Sequence, residues 1–243
     1  MILIVGSTHD DVLYFDKVIL NRKEEVVFSR YKISIGTVFN QEVIVLGDQY
    51  SSPLTSSLLT YIMTKYYIDL VFVIGKCYGI DRNTKSGDIA ISSSVIDVNV
   101  DFSRIGNIGI GEIPGLPREY KVQNDLIDYV KQGIAKRTYV NSFTAIYLSS
   151  DNLSDETFRK LKENKSIFGI TDEKFVIDHN TSGAAVACTL KDVPLIAIKV
   201  VENQFDVESK IDNYLQVLER YIDLGKAVVS TIGDIGRNDV LRS

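Results

Sequence analysis

The chain has 243 residues, 24% of them charged and 45% hydrophobic, a composition that supports one domain, residues 1–243, with a sizeable core. Its net charge of -5 and the lack of any Lys/Arg cluster argue against a nucleic-acid partner. No apolar run approaches the ~20 residues of a bilayer span, and M-I-L-I-V-G lacks the charged start and cleavage site of a signal peptide, so no membrane is expected.

In chain order, Ile2 to Val5 reads as a first strand broken at Gly6. Ser7 or Thr8 can cap a short helix, with Asp10 and Asp11 in its first turn where the helix dipole favours them. Lys32 to Gly36 and Gln41 to Gly47 read as an antiparallel pair. Ser51-Ser52-Pro53 starts a helix that runs to about Tyr67. Ile68 to Ile74 is an unbroken β-branched run, as expected of a strand covered on both faces, and it stops at Gly75 and Gly79. Glycines at the carboxyl end of such a strand let backbone approach a ligand closely.

Asp88 to Val98 is a further strand, and 102 to 120 is a loop rich in glycine and proline. A helix is predicted over Asn124 to Gln132, a strand over Thr144 to Leu148, and a helix over Asp155 to Glu163. Phe175 to Ile177 leads into D-H-N, followed by an alanine-rich buried helix from Thr181 to Leu190. Val193 to Val201 is an apolar strand interrupted by Lys199, and Ser209 to Leu224 an amphipathic helix. Cys77 and Cys188, in apolar surroundings and far apart, read as buried inert thiols of a reducing cytoplasm.

Five segments, in this order, resemble a known family. They are Gly75 to Gly79 after the central strand, Gly87-Asp88-Ile89, Asn99-Val100-Asp101 with Pro114-Gly115-Leu116-Pro117, S-S-D-N-L at 149 to 153, and V-P-L-I-A-I-K-V-V-E-N at 193 to 203. The chain resembles the nucleoside phosphorylase/nucleosidase superfamily, most closely the 5'-methylthioadenosine/S-adenosylhomocysteine nucleosidases, from its first strand to about Leu224. The resemblance implies a three-layer α/β/α fold with a central mixed β-sheet, a homodimer, a purine nucleoside as small-molecule partner, and no cofactor.

The resemblance also implies where the chemistry sits. Breaking an N-glycosidic bond needs an acid for the departing purine and a carboxylate to activate water. A third carboxylate accepts from the ribose hydroxyls. The family's three acidic positions fall here on Asp11, Asn180 and Asn203, its E-M-E having become Asp178-His179-Asn180. Asp11 is the candidate for water activation and Asn203 for base contact, although an amide cannot deliver a proton. Asn180 and His179 are candidates for the ribose. Lys199 stands where an arginine is usual, and Gln49 to Thr55 replaces a glycine-containing segment beside the ribose.

His9 and His179 have a side-chain type suited to proton donation and can stand in for the lost acid; each can equally be a hydrogen-bonded wall residue. His9, Asp11 and His179 as a metal set is possible in chemistry, but no spacing calls for a metal and none is assigned. Gly75 is expected under the ligand, with Leu153, Phe102 and Ile105 as either pocket wall or core. The Gly47 to Pro53 loop holds no arginine for phosphate, which favours hydrolysis over phosphorolysis. Two readings follow: a nucleosidase-like protein that binds and hydrolyses a purine nucleoside such as 5'-methylthioadenosine or S-adenosylhomocysteine, or a catalytically silent nucleoside-binding or regulatory paralogue.

Overall fold

Strand β1 (Ile2–Gly6) is buried along its whole length because it lies between two parallel neighbours, β4 (Gln41–Leu46) and β5 (Leu70–Gly79), with Ile2 opposite both Val43 and Leu70. The computed structural model describes residues 1–80, 84–104, 108–137, 140–163, 174–204 and 214–238. Beyond β4 the sheet continues antiparallel through β3 (Tyr31–Val38) to β2 (Leu20–Val27), an exposed edge. On the other side, β5 pairs with β9 (Phe175–Asp178) and β10 (Leu195–Gln204); β9 pairs with β8 (Ser142–Ser149), β8 with β6 (Ile89–Asp97), and β6 with β10. Strands β5, β9, β8, β6 and β10 therefore form a closed circuit. A short β7 (Glu119–Lys121) pairs with β6.

Side-chain alternation along the strands separates two cores. Ile2, Ile4, Phe72 and Ile74 face α1 (His9–Val18), α3 (Asn124–Arg137) and α6 (Tyr214–Asn238). Leu3, Val5, Val71 and Val73 face α2 (Ser52–Lys65) and α5 (Thr181–Lys191). This is the expected three-layer arrangement about a mixed sheet. A smaller cluster forms where Phe158 and Leu161 of α4 (Asp155–Glu163) meet Ile146, Leu148, Phe175 and Ile177. Helices α2 and α5 pack closely because position 183 is glycine, where a Cβ would lie 2.0 Å from the Ser52 carbonyl oxygen.

Several boundaries differ from expectation. The central strand does not stop at Gly75 but runs to Gly79; Gly75 stays in the ladder opposite Lys199 with φ +139°, a conformation that glycine adopts at no steric cost. β2 was not foreseen, since L-N-R-K-E-E-V-V shows no apolar alternation and is mostly exposed. Helix α6 passes Leu224 and reaches Asn238; the start predicted at Ser209 lies outside the described residues, as does Ile105. β10 extends to Gln204 with a register shift between Val201 and Asn203. Cys77 and Cys188 are buried free thiols, and burial pushes both well above the usual thiol range. Among the described residues, no helix is long and apolar enough to cross a membrane.

Candidate functional site

The carboxyl ends of β1, β4, β5, β9 and β10 carry a group of buried polar side chains. Thr8 follows β1 and caps α1: its hydroxyl accepts from the Asp11 N–H at 3.3 Å, and the Thr8 N–H donates to Asp11 Oδ2 at 2.7 Å. This capping box explains locally why Asp11 points back toward the sheet rather than into solvent. Asp11 is 2% exposed, and its carboxylate lies over Gly75, where a Cβ would come within 2.9 Å of Oδ2. Burial raises the Asp11 pKa above the ordinary 3.8, against the pull of the Thr8 hydrogen bonds and the Lys199 and Lys76 charges. Asp11 Oδ1 has no partner.

Across from Gly75 in the ladder stands Lys199, fully buried. Its Nζ lies 2.5 Å from Asp178 Oδ2 and donates to Asn180 Oδ1 at 2.7 Å. A buried ammonium is tolerated only when paired and hydrogen-bonded, and Asp178 and Asn180 provide that. Thr181 adds a hydroxyl donor to Asp178 Oδ2. Asp178 Oδ1 and Asn180 Nδ2 remain without partners.

His179, between Asp178 and Asn180 in the chain, feels the charges of Lys199 and Asp178. Burial, and then the positive charge of Lys199, lower its pKa to about 4. Near neutral pH it is therefore an uncharged imidazole, which does not suit it to replace a lost acid. Lys76 Nζ lies 3.2 Å from Glu202 Oε2, and its charge also reaches Asp11 and His179. Tyr221 of α6 closes the other side. Burial raises its pKa, followed by the negative charges of Asp11 and Glu202.

The structure thus brings Asp11, Gly75, Asn180, His179 and Lys199 together. His9 goes elsewhere: its backbone N–H donates to Asp48 Oδ1, and its exposed imidazole lies 3.7 Å from Asp16 on an outer cavity of about 670 Å³ lined also by Arg22 and Arg30. Leu153 packs with Ile96, Ile146 and Phe158, which is the core alternative, and Phe102 is 38% exposed. Asn203 occupies β10 opposite Tyr78, just past the register shift, and its side chain lies outside what is described. The S-S-D-N-L segment joins the helices behind the site. Asp151 Oδ1 accepts from the Ser52 N–H at 2.8 Å at the start of α2, and Ser149 Oγ accepts from the Ser182 N–H at 3.0 Å at the start of α5.

Sequence reasoning missed Lys76 and Tyr221, and gave Ser7 only as a cap candidate and Gln49 only as part of the segment beside the ribose; Ser7 Oγ and Gln49 Oε1 are further buried polar atoms without partners. Unpartnered buried polar atoms cost free energy, and five of the seven such side-chain atoms among the described residues, all but Ser94 Oγ and Tyr120 Oη, belong to this group. Among the described residues no group of three His, Cys, Asp or Glu side chains is arranged to hold a metal ion.

Comparison with known proteins agrees with this fold. A sequence model described as the phosphorylase superfamily matches residues 1–232. Among curated proteins, a 5'-methylthioadenosine/S-adenosylhomocysteine nucleosidase of Geobacillus sp. (strain WCH70) is 23% identical over 235 residues, covering 95% of this chain and 98% of that protein. One from Geobacillus thermodenitrificans (strain NG80-2) is 22% identical over 216 residues, 89% of each. Among solved structures, the nucleosidase of Neisseria meningitidis in complex with methylthio-immucillin-A superposes with a TM-score of 0.84 at 17% identity, covering 96% of this chain and 98% of the other. That of Colwellia psychrerythraea 34H in complex with adenine gives 0.82 at 19% identity, covering 96% and 94%. At these identities the structural likeness establishes the fold.

Proposed function

We propose, from the premise that this chain belongs to the phosphorylase superfamily, that it is a nucleosidase-like protein binding a purine nucleoside such as 5'-methylthioadenosine or S-adenosylhomocysteine at the Asp11–Gly75–Asn180 cluster. The observation that carries the reading is the set of unpartnered buried atoms, Ser7 Oγ, Asp11 Oδ1, Asp178 Oδ1 and Asn180 Nδ2, at the carboxyl ends of the strands. The nucleosidase relatives, and their solved complexes with adenine and methylthio-immucillin-A, support a purine as the ligand.

Hydrolysis of the N-glycosidic bond is slow in this reading. Asp11 remains available to deprotonate water through Oδ1, but position 203 holds an amide, and loss of a general acid costs on the order of 10²- to 10⁴-fold in rate. The second reading is a silent binding paralogue, favoured by Asn180: its Oδ1 already accepts from Lys199, and as an amide it lacks the charge with which a carboxylate holds ribose hydroxyls. A thermal-shift series across purine nucleosides and free bases tests binding, and adenine release from 5'-methylthioadenosine tests turnover. Absence of any shift sinks the binding reading, and release at ordinary nucleosidase rates sinks the silent one.

The protein is further proposed to be a single-domain cytoplasmic homodimer. Support for a second copy comes from Phe28 and Tyr61, exposed with their tilted rings 4.8 Å apart where α2 meets the β2–β3 hairpin, with Val26 exposed on the same hairpin. Light scattering at micromolar concentration decides; a monomer there removes the homodimer.

A further inference from the structure

Asparagine is among the strongest helix N-cap residues because its side-chain oxygen accepts an N–H of the first turn. Asn180 stands at the N-cap of α5 and makes no such bond. Its Oδ1 accepts instead from Lys199 Nζ at 2.7 Å, with neither residue exposed. An ammonium has donors only, so the amide atom facing it must be the oxygen, and the carboxamide is thereby fixed in orientation. Its Nδ2 is left buried and without a partner. The same ammonium holds Asp178 through Oδ2 at 2.5 Å, leaving Asp178 Oδ1 equally unpartnered. One lysine thus orients Asn180 through Oδ1 and Asp178 through Oδ2, and leaves a donor on the first and an acceptor on the second without partners.

We propose that Lys199 is a positioning residue that sets the polarity of the sugar contact: it turns Asn180 to donate through Nδ2 while Asp178 accepts through Oδ1. This rests on the nucleoside reading above and deepens it. A ribose hydroxyl, which both donates and accepts, suits the pair. A ribonucleoside whose 2' or 3' position offers an acceptor without a proton is also taken, through Asn180. A carboxylate at 180 would accept only, and would require a donor from the ligand.

The test is calorimetric titration with adenosine and with its 2'- and 3'-deoxy analogues bearing fluorine (acceptor only) or an amino group (donor) at the same carbon. The readout is the ratio of amino to fluoro affinity. Asn180→Asp is expected to move that ratio toward the amino compound at least tenfold, whereas Lys199→Arg, which keeps a cationic donor, leaves it within twofold. The double variant Lys199→Met with Asp178→Asn removes one charge of each sign, so it folds without an unpaired buried ion and conserves net charge. Freed from the ammonium, its Asn180 amide can turn, and the ratio is expected to lie at least threefold further toward the amino compound than in Asp178→Asn alone, which carries the loss of the Asp178 carboxylate. An unchanged ratio in Asn180→Asp, or equal ratios in the double variant and Asp178→Asn, overturns the inference, even with adenosine binding intact. Failure of the unmodified protein to bind adenosine and its analogues overturns the nucleoside reading and this inference with it.

Discussion

Lys199 Nζ and Asp178 Oδ2 are 2.5 Å apart, and neither side chain has any exposed surface. Such a pair is costly to break and cheap to replace as a unit, because each ion's desolvation is compensated only by the other. Lys199→Met alone is expected to destabilise the fold by roughly 3–5 kcal/mol, and adding Asp178→Asn to recover most of that loss. Urea denaturation of the two variants measures it; equal instability of both would show that the pair does not act as a unit.

Gly75→Ala is expected to cost roughly 2–3 kcal/mol, since φ +139° is strained for alanine and the new methyl would stand 2.9 Å from Asp11 Oδ2. Ligand-induced thermal shifts should fall in the same variant, because the carboxylate has to move. A variant of unchanged stability that still binds would separate Gly75 from the site.

The pH dependence has two opposed contributions. His179 titrates at about 4 in the fold against an ordinary 6.5, so the unfolded chain binds the extra proton first. The stability associated with its neutral form is complete above pH 6.5 and is lost as the pH falls toward 4, by roughly 3 kcal/mol. The Asp11 pKa is raised above 3.8, so its contribution is complete below that value and is lost as the pH rises through the raised one. Denaturation midpoints from pH 7 to pH 4 should fall in the natural protein and flatten in His179→Asn.

Asp151→Ala removes the acceptor that serves the first turn of α2 from a loop far along the chain. A loss of about 1 kcal/mol is expected, the usual worth of a helix cap. Hydrogen exchange should localise the loss to the first turn of α2, and uniform loss along the helix would argue for a different cause.

Asn203→Asp restores a proton donor at the position where the family carries one. Adenine release from 5'-methylthioadenosine is expected to rise at least tenfold. No rise would mean that the site differs from an active one at more than this position.

Much of this was readable in the sequence wherever the signal is local. Helix α4 starts and ends where its charge pattern and Asp155 place it, and Thr8 caps α1 as its spacing from Asp11 requires. The misses have physical causes. Helix α6 was cut short because its second half carries Gly225 and Gly233, which resemble breakers; they are contact points, a Cβ at 225 falling 2.4 Å from the Tyr14 ring and one at 233 falling 3.0 Å from Phe39. β2 is a charged edge with no core-facing stripe to betray it. Lys199 could be seen as an interruption in an apolar strand, but nothing local tells that Asp178 and Asn180 will stand beside it. His9 reads in the sequence as a pocket candidate, and only the folded β2–β3 hairpin shows its ring turned outward among Asp16, Arg22 and Arg30.

The closed circuit of β5, β9, β8, β6 and β10 gives each of these strands a hydrogen-bonded neighbour on either side. Gly75, Asp178 and Lys199 belong to three of them, so their relative heights are locked by backbone ladders rather than by side-chain packing alone. A ligand cannot be accommodated by sliding one strand past the next. Whatever adapts on entry is therefore a side chain and not a strand, Asp11 on α1 and Tyr221 on α6 among those rooted outside the circuit, while the backbone floor beneath them stays fixed.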